Sequence, residues 1–309
     1  MLVMILAAGL TPAWQRVLEF DQLEFGKVNR ARRVSAFPSG KVINVGLTLH
    51  KLAVPSVTLA PLGGPSGERI RADCERQGVQ AEWVRTCVET RICTTLIDAA
   101  GYTELVEPGE PLREDELNAV IAAWRRLAAT ASVAVITGSV PQGTPADCFQ
   151  RMLRAASPTQ TVLDLKGDEL LAAVACSPLV AKPNRQELAT TLHRPLPTDA
   201  DLLEAMQELR RLGAQWVVVT DEERPVHALG PAGLYRLTPP PAGQIVNPIG
   251  CGDCMTAGLA CGLYRGMDVL AALTFGLACA ADRLRHLSPS DVDALRAAQL
   301  AREVEVCKL

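Results

Sequence analysis

Asp253 is where this sequence first offers chemistry. It lies in Asn247-Pro248-Ile249-Gly250-Cys251-Gly252-Asp253-Cys254-Met255-Thr256-Ala257-Gly258. Gly250 and Gly252 permit backbone angles and close approaches that a side chain would block. The small-residue run that follows, towards Tyr264, reads as a helix. The amides around residues 250–253 then fall at its N-terminus, where unpaired N–H groups and the macrodipole attract anions. An anion hole beside a carboxylate could activate a hydroxyl opposite a phosphate. An Asp cap after an ordinary turn is the competing reading at this point. Cys251 and Cys254 form a Cys-x-x-Cys, but no second pair or histidine cluster completes a zinc site.

Other polar loops close short apolar runs: Ser39-Gly40-Lys41, Thr137-Gly138-Ser139 and Lys182-Pro183-Asn184. The elements that must position them alternate. Strands are expected at 2–8, 57–61, 133–137, 161–165, 179–182 and 216–220. Helices are expected at 42–52, 68–77, 114–129, 146–155, 169–175, 184–192, 200–212, 255–264 and 269–284, from apolar spacing such as Leu117, Val120, Ile121, Trp124 and Leu127. Such alternation predicts a three-layer α/β/α fold around a mainly parallel sheet. Ligands in these folds bind beyond the carboxyl ends of the strands, where the loops named above and Gly250–Asp253 would gather. Two stretches break the rhythm and read as hairpins, one over 17–37 turning at Gly26-Lys27 and one over 92–107 around Gly101. Together they predict a small β lid built from about 12–37 and 90–108. No linker divides the chain, so residues 1–309 are expected to form one domain.

Composition narrows the function. The chain has 309 residues, 48% hydrophobic and 21% charged, with a net charge of −3 and 4% aromatics. That balance suits an ordinary globular protein and gives no basis for nucleic-acid binding through a basic or base-stacking surface. The ten cysteines are scattered through apparent helices and strands. They are expected to be free thiols in a reducing, cytoplasmic compartment. The apolar N-terminus lacks a basic n-region and is too short to cross a membrane, so a buried first strand is expected and no membrane association.

Several segments, in order, resemble the ribokinase-like (PfkB) carbohydrate kinases, especially the 1-phosphofructokinase and tagatose-6-phosphate kinase branch. They are Ser39-Gly40-Lys41-Val42-Ile43-Asn44-Val45, Glu89-Thr90-Arg91-Ile92-Cys93-Thr94-Thr95, Thr137-Gly138-Ser139-Val140-Pro141-Gln142-Gly143, Lys182-Pro183-Asn184-Arg185-Gln186-Glu187-Leu188 and the stretch around Asp253. The resemblance spans nearly the whole chain. It implies ATP-dependent phosphoryl transfer to a hydroxyl of a phosphorylated ketose, such as fructose 1-phosphate, fructose 6-phosphate or tagatose 6-phosphate. By the same resemblance Asp253 is the base, and the amides of Gly250, Cys251 and Gly252 stabilise the transferring phosphoryl group. Lys41 and Arg91 hold the sugar's own phosphate, while Ser39, Gly40, Asn44 and Ser139 orient the sugar. Lys182, Asn184, Glu187 and Thr220 serve the nucleotide, with Mg²⁺ reached from Glu187 through water. A homodimer formed through the lid is implied, with Lys27 a candidate to reach a neighbouring subunit's nucleotide.

The sequence departs from the family's pattern at several points. Thr11-Pro12-Ala13-Trp14-Gln15 places an amide, Gln15, where the family has a sugar-binding acid; it can donate and accept but carries no charge. Ser39 and Val42 replace glycines. Pro248 stands where a threonine is common and Cys251 where alanine is usual. Thr220-Asp221-Glu222-Glu223-Arg224-Pro225 replaces a glycine-rich nucleotide loop and brings three acids near expected phosphate positions. These changes leave two further readings, a sugar-phosphate-binding pseudokinase and a kinase for an unphosphorylated sugar or nucleoside.

Overall fold

Short runs of Val, Ile, Leu and Ala build the centre of the molecule, because a strand covered on both faces needs apolar residues on both. The computed structural model describes residues 4–156, 158, 160–241, 245–246 and 249–309. In chain order the elements begin with β1 (Met4–Ala8), β2 (Ala13–Glu19), β3 (Arg33–Ser39), α1 (Lys41–Lys51), β4 (Ser56–Leu62) and α2 (Gly64–Gln77). Then come β5 (Ala81–Arg85), β6 (Ile92–Asp98), β7 (Gly101–Val106), α3 (Glu114–Ala128), β8 (Ala131–Thr137), α4 (Cys148–Ala155) and β9 (Gln160–Asp164). They continue with α5 (Gly167–Val174), β10 (Val180–Ala181), α6 (Arg185–Thr191), α7 (Asp199–Leu212), β11 (Trp216–Asp221), β12 (Arg224–Gly230) and β13 (Gly233–Thr238). The chain closes with α8 (Cys251–Tyr264), α9 (Val269–Arg283), α10 (Ala294–Leu300) and β14 (Glu305–Lys308).

Ten strands form the main sheet in the order β14-β13-β12-β11-β10-β9-β8-β1-β4-β5. From β11 to β5 every pairing is parallel, and β12, β13 and β14 add an antiparallel edge. Side chains alternate between two cores, as the period of a strand requires. Ile5, Ala7, Val133, Val135, Val162, Val180 and Val218 pack with α1, α8, α9 and α10. Leu6, Ala8, Ala134, Ile136, Leu163, Ala181, Val217 and Val219 pack with α3 to α7. The α/β/α layering expected from the sequence is therefore present.

The helix that carries Asp253 is buried all round, with every residue from Asp253 to Leu263 inside. Its small residues let α9 approach closely: a Cβ on Gly258 would stand 2.8 Å from the Gly276 Cα. This sandwich between the sheet and α9 fixes the N-terminus of α8 at the carboxyl ends of the strands.

The second sheet has four strands, in the order β3-β2-β6-β7. The first hairpin starts earlier than expected and its strands are shorter, but its register stays centred on Gly26. β2 starts at Ala13 and ends at Glu19, pairing from Ala13↔Ser39 to Glu19↔Arg33. The reason is local. In the connection, the Asn29 side chain accepts from the Glu24 N–H and donates to the Glu24 C=O, so residues 24–29 form their own loop rather than continuing the ladder. Pro38 and Ser39, beyond the expected end of the hairpin at 37, finish β3, and Gly40 with φ 89° turns directly into α1. Asn247 and Pro248, part of the motif around Asp253, lie outside the described residues.

Candidate active site

Gly250 is the hinge of the site. It caps α8 with φ 88°, and a Cβ there would lie 2.2 Å from the Pro289 carbonyl oxygen, so glycine is required twice over. The first intrahelical bond runs from the Cys254 N–H to the Gly250 C=O at 2.9 Å. The amides of Cys251 and Gly252 come before it and are not consumed by the helix. Asp253 is the third residue of α8, not its cap, which removes the capping reading. Its side chain is 6% exposed, and the Asn44 Nδ2 donates to its Oδ2 at 2.7 Å. Asn44 is in turn oriented by Ser39, whose Oγ donates to the Asn44 Oδ1 at 3.2 Å.

Burial pushes the Asp253 carboxyl up, to about 6; the Lys41 ammonium opposes this, the Asp164 carboxylate adds to it, and the Asn44 hydrogen bond and Lys182 oppose it. A carboxylate with that affinity is ionised at neutral pH yet a stronger base than a solvated aspartate.

Lys41, at the start of α1, faces three carboxylates. Its Nζ is 3.2 Å from the Asp164 Oδ1 and 3.5 Å from the Glu187 Oε1. Burial alone would lower the Lys41 affinity for its proton, but Asp164, Glu187 and Asp253 together hold it above the ordinary lysine value. Lys182, at the end of β10, approaches the same Asp164 Oδ1 at 3.5 Å, and the Thr256 Oγ1 donates to the other oxygen at 3.1 Å. Asp164 is 1% exposed; burial raises its pKa, but Lys182 and Lys41 more than reverse this and keep it below the usual value.

Asp164 and Thr256 were not among the residues singled out from sequence. For Asp164 a signal existed, since an acid ending the apolar run Thr161-Val162-Leu163 on a core strand demands buried partners.

Asn184 and Glu187 cap α6 reciprocally. The Glu187 N–H donates to the Asn184 Oδ1 at 2.7 Å, and the Asn184 N–H to the Glu187 Oε2 at 2.9 Å. That leaves the Glu187 Oε1 turned to Lys41. Thr220 bridges to Asn184 across the ends of the strands. Of the three acids in the following turn, Asp221 is paired with Arg185 at 3.0 Å and with Arg224 at 3.3 Å. Its charge is neutralised rather than presented to a phosphate.

Among the described residues no three His, Cys, Asp or Glu side chains converge to hold a metal. Asp164 is spent on Lys41, Lys182 and Thr256. The residues therefore fit Mg²⁺ only as an ion carried on phosphates and water, with Glu187 beyond its water shell. The Cys251/Cys254 pair offers no thiolate: burial pushes the thiols up to about 11 and about 12.

A second branch gathers around Thr11. Arg91 donates from Nη2 to the Thr11 C=O and from Nη1 to the Glu107 C=O, both at 3.1 Å, and its buried Nε has no partner. The Thr11 hydroxyl donates to the Ser139 C=O at 3.0 Å and lies 3.2 Å from the Ser139 hydroxyl. Gly40 sits against Thr11, where a Cβ would be 2.8 Å from its carbonyl oxygen. Lys41 and Arg91, read together as phosphate ligands, share no partner among the described residues. Gln15 stands apart from both groups: it is 4% exposed and its Nε2 donates to the Thr95 Oγ1 at 2.8 Å within the lid. Lys27 is exposed and paired with Glu24.

The chain matches the model of the pfkB family carbohydrate kinases over residues 4–292. It is similar in fold to the phosphofructokinase-2 of Escherichia coli solved with potassium, with a TM-score of 0.89 at 23% identity over 98% of this chain and 99% of that one. A possible 1-phosphofructokinase of Thermotoga maritima gives a TM-score of 0.89 at 23% identity over 99% of each chain. The ribokinase of Arabidopsis thaliana, solved with ribose and ATP, gives 0.76 at 19% identity over 97% of this chain and 99% of that one. With a family model covering nearly its whole length, a mainly parallel sheet and a buried aspartate at the N-terminus of a buried helix, this chain belongs to the pfkB family of carbohydrate kinases.

Proposed function

We propose that the protein transfers the terminal phosphoryl group of ATP to a hydroxyl of a phosphorylated ketose. The observation that carries this reading is Asp253, a buried carboxylate raised to about 6 and hydrogen-bonded to Asn44 beside the uncommitted amides of Cys251 and Gly252. In this mechanism Asp253 accepts the hydroxyl proton while the sugar oxygen attacks phosphorus. The amides of residues 250–252 donate to the equatorial oxygens of the group in flight, where fixed donors cost no reorganisation. Lys41 neutralises charge on the same group, and Lys182 and Thr220 serve the nucleotide's phosphates. Glu187 would face Mg²⁺ carried on those phosphates, and the ion would supply charge neutralisation there. Ser39, through Asn44, keeps the Asp253 carboxylate aimed.

The acceptor is a sugar phosphate because a cationic fork, Arg91, stands at the lid edge beside Thr11 and Ser139, with one hydrogen on each Nη unspent among the described residues. The E. coli phosphofructokinase-2 has itself been solved with fructose 6-phosphate, which puts that sugar on the panel to test. With Gln15 engaged by Thr95, hydrogen bonds rather than charge select the sugar hydroxyls on the lid side.

The protein functions as one domain over 1–309 and as a homodimer through the lid. Phe25, Val28, Val34, Tyr102, Leu105 and Val106 are exposed in the lid segments, an apolar surface suited to a partner. All ten cysteines are free thiols, which suits the cytoplasm.

The test is ATP consumption with fructose 1-phosphate, fructose 6-phosphate and tagatose 6-phosphate, each beside its unphosphorylated sugar. Turnover of at least one phosphate ester at roughly 1–100 s⁻¹ is expected. Arg91→Ala should raise KM for that ester about tenfold and leave the unphosphorylated sugar unaffected. Equal losses on both would reject Arg91 as the phosphate ligand.

A further inference from the structure

Arg283 closes α9 and is 0% exposed, yet among the described residues no carboxylate pairs with it and its buried Nε has no partner. Its neighbour Asp282 is committed elsewhere: Oδ2 accepts from the Asp293 N–H at 2.7 Å and lies 3.3 Å from the His286 Nε2, while Oδ1 faces Arg296 at 3.7 Å. The guanidinium instead donates twice at 2.6 Å to backbone carbonyls, from Nη1 to His286 and from Nη2 to Ile249. A buried cation satisfied only by carbonyls is costly, and apolar residues of that size would fill the space at lower cost.

The position of the second acceptor supplies a reason for it. Ile249 shares its peptide unit with Gly250, and in a trans peptide the C=O and N–H point in opposite directions. Drawing the Ile249 oxygen back onto Arg283 therefore turns the Gly250 N–H away from Arg283 and out of the turn. Nearby contacts brace the same turn, with the Val246 N–H on the Leu284 C=O at 2.7 Å and Pro289 against Gly250. The charge also stands behind the helix N-terminus, close enough to Cys251 and Asp253 to interact with both.

We propose that Arg283 is a positioning residue for phosphoryl transfer, which aims the Gly250 amide at the group in flight and sets a buried positive charge behind the anion hole. The inference rests on the reading of residues 250–252 as that hole. It assigns to the end of α9 a role that no residue touching the substrate performs.

Inorganic tripolyphosphate serves as a probe that needs no turnover, titrated calorimetrically into the full-length wild type, Arg283→Met and Arg283→Lys, with ATP-dependent kinetics run in parallel. Arg283→Met should lose about 100-fold in kcat while the sugar-phosphate KM stays within about threefold, and tripolyphosphate should bind about tenfold more weakly. Arg283→Lys keeps the charge but not the fork. It should hold tripolyphosphate affinity within about threefold and lower kcat about tenfold, since one carbonyl loses its donor. A folded Arg283→Met protein with wild-type kcat and tripolyphosphate affinity would overturn the inference, as would equal losses in kcat/KM and sugar affinity from a general collapse. If Arg283→Met does not fold, Arg283→Lys decides alone, and wild-type kcat in it overturns the proposal. Wild-type protein that binds tripolyphosphate but turns over no sugar phosphate would sink the kinase assignment and leave the titration to judge Arg283. Wild-type protein that does not bind tripolyphosphate would overturn the anion hole and Arg283's role with it.

Discussion

Asp253 holds its proton more tightly than a solvated aspartate does. Its folded pKa of about 6 lies above the ordinary 3.8, so the proton is bound more tightly in the native state. The stability this contributes is fully present below about pH 4 and is lost as pH rises through about 6, a loss of about 3 kcal/mol at neutral pH. Asp253→Asn should therefore cut kcat by about 1000-fold while raising Tm at pH 8, with little change in Tm at pH 4. Thermal melts at the two pH values check this, and an unchanged Tm at pH 8 would contradict it. In the wild type, kcat/KM should fall on the acid side with a midpoint near 6. Asn44→Ala removes a hydrogen bond that favours the charged carboxylate, so that limb should move to higher pH, which a pH–rate profile reads directly. Asp253 is legible in the sequence because glycines mark it locally. The network around it is not, because Asp164 acquires its meaning from Lys41 on α1 and Lys182 on β10, and nothing near Asp164 in the chain announces either.

At the scale of elements, the site depends on how the N-terminus of α8 is set against the loop after α9. Gly250→Ala would force a Cβ into a left-handed residue and onto the Pro289 carbonyl. The backbone term alone costs about 1–2 kcal/mol, and the turn must also shift. The expected result is a lower Tm together with a kcat loss larger than any change in KM; wild-type kinetics would mean the turn does not set the anion hole. Asp164→Asn should destabilise by about 3 kcal/mol, since two lysines would then face each other without their buried carboxylate, and chemical denaturation measures it. The strands and helices that build this region follow the sequence closely, because buried parallel strands such as Val133–Ile136 are unbroken apolar runs. β5, β12, β13 and β14 were not read. They sit at or near the sheet's edges with mixed polarity, as in Glu82, Arg85 and His227, and their pairing is decided by neighbours already in place rather than by their own pattern. β2 was misplaced for a related reason: Ala13, Gln15 and Val17 are buried on one face of the lid, and the amide at the second of them masks the alternation.

Across the whole molecule, the lid is where exposed apolar side chains and unpaired strand edges come together among the described residues. Its outer strands β3 and β7 each have an edge unpaired among the described residues, and every residue of β7 is exposed. Free edges with apolar side chains invite pairing with another chain. Phe25 is 90% exposed and Leu105 52%, so burial of the two contributes little to the single subunit. Replacing both by Glu should therefore cost the subunit's own stability less than about 1 kcal/mol while placing four charges in a two-fold interface. That arrangement is self-repelling by symmetry. Sedimentation velocity at micromolar concentration should show wild-type dimer and variant monomer. The consequence for catalysis follows from where the lid is attached. β3 runs through Ser39 and Gly40 into Lys41, and Arg91 immediately precedes β6, so both arms of the substrate site end on lid strands. A monomer with a loosened lid should bind the sugar phosphate more weakly, with KM raised about tenfold, whereas kcat at saturation, set by Asp253 and the turn at Gly250 on the rigid body, should change less than about threefold. A variant that becomes monomeric yet keeps the wild-type KM would show that the lid is held by its own subunit alone.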